Sequence, residues 1–170
     1  IVPVALAVLI GLFRAERASK TMSPCHAALL SSLLLFGAGG VIGFMIQGSD
    51  VRVPAHYHGS IVGITLALMG LTYALLPRLG FGAPLPRMAT WQPAIYGAGQ
   101  LMHITGLVWS GGYGVQRKVA GAEQVLRSSA EVAGMGLMGL GGLLAIVGGL
   151  LFVVVVARAA RHKPEASAAP

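Results

Sequence analysis

The sequence is short of charge. Asp, Glu, Lys and Arg together make up 10% of its 170 residues, against about 25% in an ordinary soluble domain. With 55% hydrophobic residues, the chain has too little polar surface to face water on every side. That excludes a typical soluble domain and leaves lipid as the solvent for much of the surface. Acidic residues are scarcest, at 5, and none lies in the middle of an apolar run. Cysteine is nearly absent: Cys25 stands alone, which excludes an internal disulfide and says nothing about compartment. Aromatics are few, at 6%. The opening at Ile1 has neither a charged leader nor a small-residue cleavage site, so it does not read as a signal peptide. It reads instead as the last part of a helix truncated at its N-terminus.

What is present in quantity is glycine, at 25 residues, which lets apolar helices approach closely. Small residues recur four apart at Gly39 and Gly43, at Gly59 and Gly63, and at Gly141, Ala145 and Gly149. Each set forms a smooth stripe for helix packing. The net charge of +7 does not point to nucleic acid, because the basic residues flank apolar segments rather than gather on one polar face. They read as membrane topology.

Five apolar segments can be drawn. Residues 1–13 are too short to span. Residues 25–47, 54–77, 91–112 and 131–157 each have the roughly 20 residues that a span needs. The expected fold is therefore all-α: a polytopic transmembrane bundle of four full spans plus a truncated first helix. It occupies residues 1–157, with a basic, Ala- and Pro-rich tail at 158–170. If the spans alternate, eight cations share one side: Arg14, Arg17, Lys20, Arg78, Arg87, Arg158, Arg161 and Lys163. Four share the other: Arg52, Arg117, Lys118 and Arg127. The positive-inside bias puts the eight, and the C-terminus, in the cytoplasm, and fits an integral protein of a bacterial inner membrane.

Five histidines remain. His162 lies in the polar tail, and His26 opens a span at its cytoplasmic end. His103 has the look of a structural or supporting residue. His56 and His58 carry more information, because ionisable groups inside a span are costly and usually functional. Two positions apart on a helix means about 200° around its axis, so one imidazole points to each side. One shared metal would favour a spacing of three or four. Two separate sites, such as two hemes with histidine axial ligands, satisfy the spacing. So does a pair that merely lines the membrane interface.

The context of the pair resembles a known family. VPAHYHGSIVGITLALMGLTYALLPRLG, residues 53–80, resembles the tenth helix of subunit I of the heme-copper oxidase superfamily. LLLFGAGGVIGFMIQGSDV before it and QLMHITGLVWSGGYGVQRKV after it are similar to the ninth and eleventh helices with their outer loops. The resemblance covers about residues 25–157. It implies the C-terminal part of a terminal oxidase catalytic subunit that reduces dioxygen to water. His56 would ligate the high-spin heme and His58 the low-spin heme. Tyr57 would lie close to both, and Arg117 with Lys118 would hold heme propionates. Copper and its ligands would come from earlier helices outside this chain. The implied partners are the rest of subunit I, other oxidase subunits, and a donor such as cytochrome c or quinol.

The chain departs from the family pattern in places. The basic pair is Arg-Lys rather than Arg-Arg. Only Asp50 stands where many members carry a His-Asp pair for magnesium, which puts that site in doubt. A nitric oxide reductase of the same superfamily is the alternative. From other classes come a small transporter or channel bundle and a heme-bearing anchor. A transporter is expected to show broken spans or paired charges near the midplane, and an anchor would need further histidine partners within the chain.

Overall fold

The computed structural model describes residues 6–8, 10, 11, 14, 22–116, 118, 125, 126 and 128–162. Among these residues the protein is all-helical, without a strand. Four long helices follow one another: α1 (Pro24–Phe44), α2 (Arg52–Leu75), α3 (Pro86–Gly112) and α4 (Ser129–Arg161). Of the expected truncated first helix, the described positions 6–8, 10 and 11 are helical.

Local chemistry sets each boundary. Ser23 caps α1 by accepting from the His26 N–H, with Pro24 in the first turn, where a missing N–H costs nothing. Pro77 follows the end of α2 and opens a single 3-10 turn, closed by Gly80 at φ 82°. Pro86 starts α3 five residues ahead of the expected 91. Ser128 caps α4 by accepting from the Glu131 N–H. That helix runs on past 157, so Arg158 and Arg161 occupy its last turn, where cations oppose the helix dipole favourably.

Three of the four helices are long and apolar enough to cross a membrane: α1, α2 and α4. By length and composition, then, three of the four expected spans meet that measure. At 27 residues α3 has the length, but Thr90, Gln92, Gln100, His103, Thr105 and Ser110 dilute its apolar character.

The helices pack as two antiparallel hairpins, α1 with α2 and α3 with α4. In the first, Gly39 and Gly59 meet backbone to backbone. A Cβ on Gly39 would lie 2.6 Å from the Ser60 nitrogen, and one on Gly59 would lie 2.5 Å from the Gly39 Cα. In the second, Gly141 and Ala145 press on α3 beside His103 and Gly99. The third member of that seam is Gly148, whose added Cβ would fall 2.6 Å from the Tyr96 Cα, whereas Gly149 has ample room. The contact thus advances seven residues rather than eight, close to two turns of a helix with about 3.6 residues per turn. Leu35, Leu66 and Ile104 fill the junction of the hairpins, and a second cluster around Tyr73, Leu76 and Val155 closes one end.

Both ends are tied. At the end holding the α1–α2 loop, the Val51 N–H donates to the Val115 carbonyl at 3.1 Å, and Asp50 bridges Gln116. At the other, the Gly82 N–H donates to the Ala159 carbonyl at 2.9 Å. Inside, the Tyr73 hydroxyl donates to Gln92 Oε1 at 2.8 Å, and Gln92 Nε2 donates to the Gly148 carbonyl at 3.1 Å. One fully buried amide thereby joins α2, α3 and α4.

Candidate functional site

The site begins with the loop that enters α2. Asp50 is 5% exposed. One of its carboxylate oxygens accepts from the Arg52 backbone N–H at 2.8 Å, and the other from Arg52 Nε at 2.8 Å and from its Nη2. Burial pushes this carboxyl up, but the hydrogen bonds and charge of Arg52 outweigh it and hold Asp50 below the usual carboxylate range. Arg52 is therefore neutralised where it stands. Of the four cations expected on this side, it serves an ion pair rather than topology. Asp50, with its oxygens engaged by Arg52, fixes the first turn of α2 and with it the direction of the histidines one turn further on.

His56 turns toward α1. Its Nδ1 lies 2.8 Å from the Gly39 carbonyl. A carbonyl only accepts, so Nδ1 carries the proton and Nε2 keeps its lone pair. Gly43 makes the approach possible: a Cβ there would fall 2.9 Å from His56 Nδ1. His58 turns the other way. Its Nδ1 lies 2.9 Å from the Pro54 carbonyl of its own helix, and its ring packs against His103 of α3 with centroids 4.8 Å apart. His103 is held in turn by the Met138 carbonyl of α4 at 3.0 Å. The pair thus diverges as its spacing indicates. Each of the three rings has Nδ1 committed to a backbone carbonyl and Nε2 without a hydrogen-bond partner among the described residues.

Tyr57 is exposed, with its ring 5.5 Å from that of His56. Lys118 is exposed and adopts a left-handed backbone at φ 63°, uncommon outside glycine. Arg117 lies outside the described residues. His26 donates only its backbone N–H to the Ser23 cap, and His162 is exposed at the end of α4. Neither joins the cluster. Among the described residues no group of three or more His, Cys, Asp or Glu could hold a metal ion.

The sequence reading missed three features: the Asp50–Arg52 pair, the meeting of His58 with His103, and the Gln92 clasp. An uncharged amide within an apolar run was the available signal for the last. The meeting of His58 with His103 depends on two helices far apart in sequence, whereas Asp50 and Arg52 are opposite charges two residues apart, which was the signal for their pair.

The chain has relatives, and they are longer. It is 41% identical over 147 residues to an uncharacterized protein of Rickettsia prowazekii (strain Madrid E), a match covering 80% of this chain and 28% of that protein. It is 35% identical over 86 residues to an uncharacterized protein of Aquifex aeolicus (strain VF5), covering 51% of this chain and 22% of that one. The chain therefore spans about a quarter of the length of the curated relatives it matches. No family model matches it.

Proposed function

We propose that this chain is the C-terminal membrane part of the catalytic subunit of a heme-copper-type terminal oxidase, in which His56 and His58 ligate two different hemes. The observation that carries this reading is the divergence of two histidines whose Nδ1 atoms are already bound to carbonyls. A histidine that held heme iron would need Nε2 deprotonated and its ring held still, and a carbonyl on Nδ1 supplies both. These residues also provide too few ligands for an all-protein metal cage. A heme, which would bring most of the ligands of its iron with it, would suit that scarcity.

Bound hemes would supply the one-electron and dioxygen chemistry. The protein's own part is to bind and orient. His56 presents its Nε2 from the side of α1, and His58 from the side of α3. Tyr57 lies next to His56 on the same helix and offers an aromatic ring near both. Lys118, with Arg117, provides cations for propionate carboxylates. Copper, the second low-spin ligand and the contacts with an electron donor belong to the remainder of a longer protein, as the length of the relatives allows.

In this reading α3 is the fourth span. Its polar side chains Gln92 and Ser110 are fully buried, so what it turns outward is more apolar than its composition. Arg78, Arg87, Arg158 and Arg161 then share the cytoplasmic face of a bacterial inner membrane. Reduction of nitric oxide is the variant within the same superfamily, separable by substrate: consumption of dioxygen supports the first, of nitric oxide the second.

The test is the absorption spectrum of the full-length protein in detergent. One low-spin heme and one high-spin heme that binds carbon monoxide are expected. His58→Ala should abolish the low-spin signal, and His56→Ala the carbon monoxide signal. Purification without heme overturns the proposal.

A further inference from the structure

The outward face of α3 carries a second message. Trp91 and Trp109 are the two tryptophans of the chain, and both are exposed, at 67% and 47%. They stand 18 residues apart, which at 100° per residue is five whole turns, so both lie on one line along the helix. That separation is ~27 Å at 1.5 Å per residue, close to the ~30 Å hydrocarbon thickness of a bilayer. Between them the line presents Ala94, Ala98, Leu101 and Thr105, all exposed. The one hydroxyl among these needs no water, because Thr105 Oγ1 donates to the Leu101 carbonyl at 2.7 Å. One turn beyond each tryptophan sits an interfacial side chain, Arg87 at one end and Tyr113 at the other, both exposed.

We propose that this face of α3 is a boundary of the protein against the acyl chains of the bilayer, with Trp91 and Trp109 anchoring its two interfaces. Tryptophan concentrates at the level of the lipid headgroups, and arginine can extend from just inside to the same level. A pair at bilayer spacing on one azimuth, with no charge between, is what a lipid-facing helix needs. A groove of about 300 Å³ between α1 and α3 opens beside this line. Its lining includes Val41, Ile42, Leu101 and Ile104, and it has almost no polar surface. It suits an acyl chain and offers nothing to a polar ligand. The inference rests on the membrane reading of the chain and not on the hemes, so the two can fail separately.

Nitroxide labels decide it. Ala98→Cys and Thr105→Cys, with Leu101→Cys in reserve should either misfold, are placed in the full-length protein freed of other cysteines and reconstituted into phosphatidylcholine vesicles. Collision with dioxygen should exceed collision with a water-soluble nickel chelate several-fold at Ala98. The excess should shrink for labels placed at positions 91 and 109. Low collision with both reagents at Ala98 would mean that another helix covers the face. High collision with the nickel chelate would mean water. Either result overturns the proposal.

Discussion

In the α1–α2 seam the backbones touch at Gly39 and Gly59, and the Gly39 carbonyl still accepts from the side chain of His56. The α3–α4 seam is also lined with glycine, at Gly99, Gly106, Gly141 and Gly148. It too delivers a carbonyl to a histidine, Met138 to His103. The seams differ in what else they hold. The first holds, besides its histidine, only the weak bond from the Cys25 thiol to the Gly70 carbonyl at 3.6 Å. The second contains a buried amide, Gln92, that reaches a carbonyl of α4 and a hydroxyl of α2. Close backbone approach is common to both hairpins, and the bond from Tyr73 to Gln92 then ties one hairpin to the other. Joining one hairpin to the other takes directional polar bonds, which are scarce in hydrocarbon and therefore specific.

The comparison breaks most readily at its tightest point. Gly39→Val forces a branched side chain into the Gly59 backbone and should destabilise the protein by about 3 kcal/mol. Gly40→Ala, where an added Cβ meets nothing within 4 Å, should stay within about 0.5 kcal/mol. Unfolding by denaturant in detergent would separate the two, and equal effects would deny the seam. Next comes the amide. Gln92→Leu keeps the volume but leaves the Tyr73 hydroxyl buried without its acceptor, at a cost of about 1–3 kcal/mol. Adding Tyr73→Phe should recover part of that loss, since both ends of the bond are then apolar.

The smallest expected effect is electrostatic. The folded Asp50 carboxyl titrates below its unfolded value, near 3.9 for a free aspartate. Its contribution to stability is therefore complete above about pH 4 and is lost as pH falls through the lower, folded value. Thermal midpoints measured from pH 7 down to pH 3 should show a fall that Asp50→Asn reduces. An unchanged pH profile in that variant would remove Asp50 from the account.

Much of the first seam was legible in the sequence, because helical spacing is local: glycines four apart, and histidines two apart that must diverge. What spacing could not supply was the neighbour on each side. That His58 meets His103, 45 residues on, depends on how α2 crosses α3. Position 149 was chosen over 148 by a strict repeat of four, whereas the packing ridge follows the crossing of two real helices. Judged by its polar residues α3 falls short of a span, yet several of those residues face inward, which composition cannot register. Asp50 drew notice only as a departure from a His-Asp pair; its bond to Arg52 is local, but its bridge to Gln116 is made in three dimensions.

That bridge has a consequence in time. The strap between Val51 and Val115 joins positions 64 residues apart. At about 5–20 residues per second of synthesis, the later partner leaves the ribosome roughly 3–13 seconds after the earlier one. His56 and its Gly39 carbonyl both exist once the α1–α2 hairpin is made. His58 must wait for α3 to be made, and the loop above it stays unfastened until then. Two histidines separated by a single residue are thus fitted with their surroundings at separate moments in the life of the nascent chain.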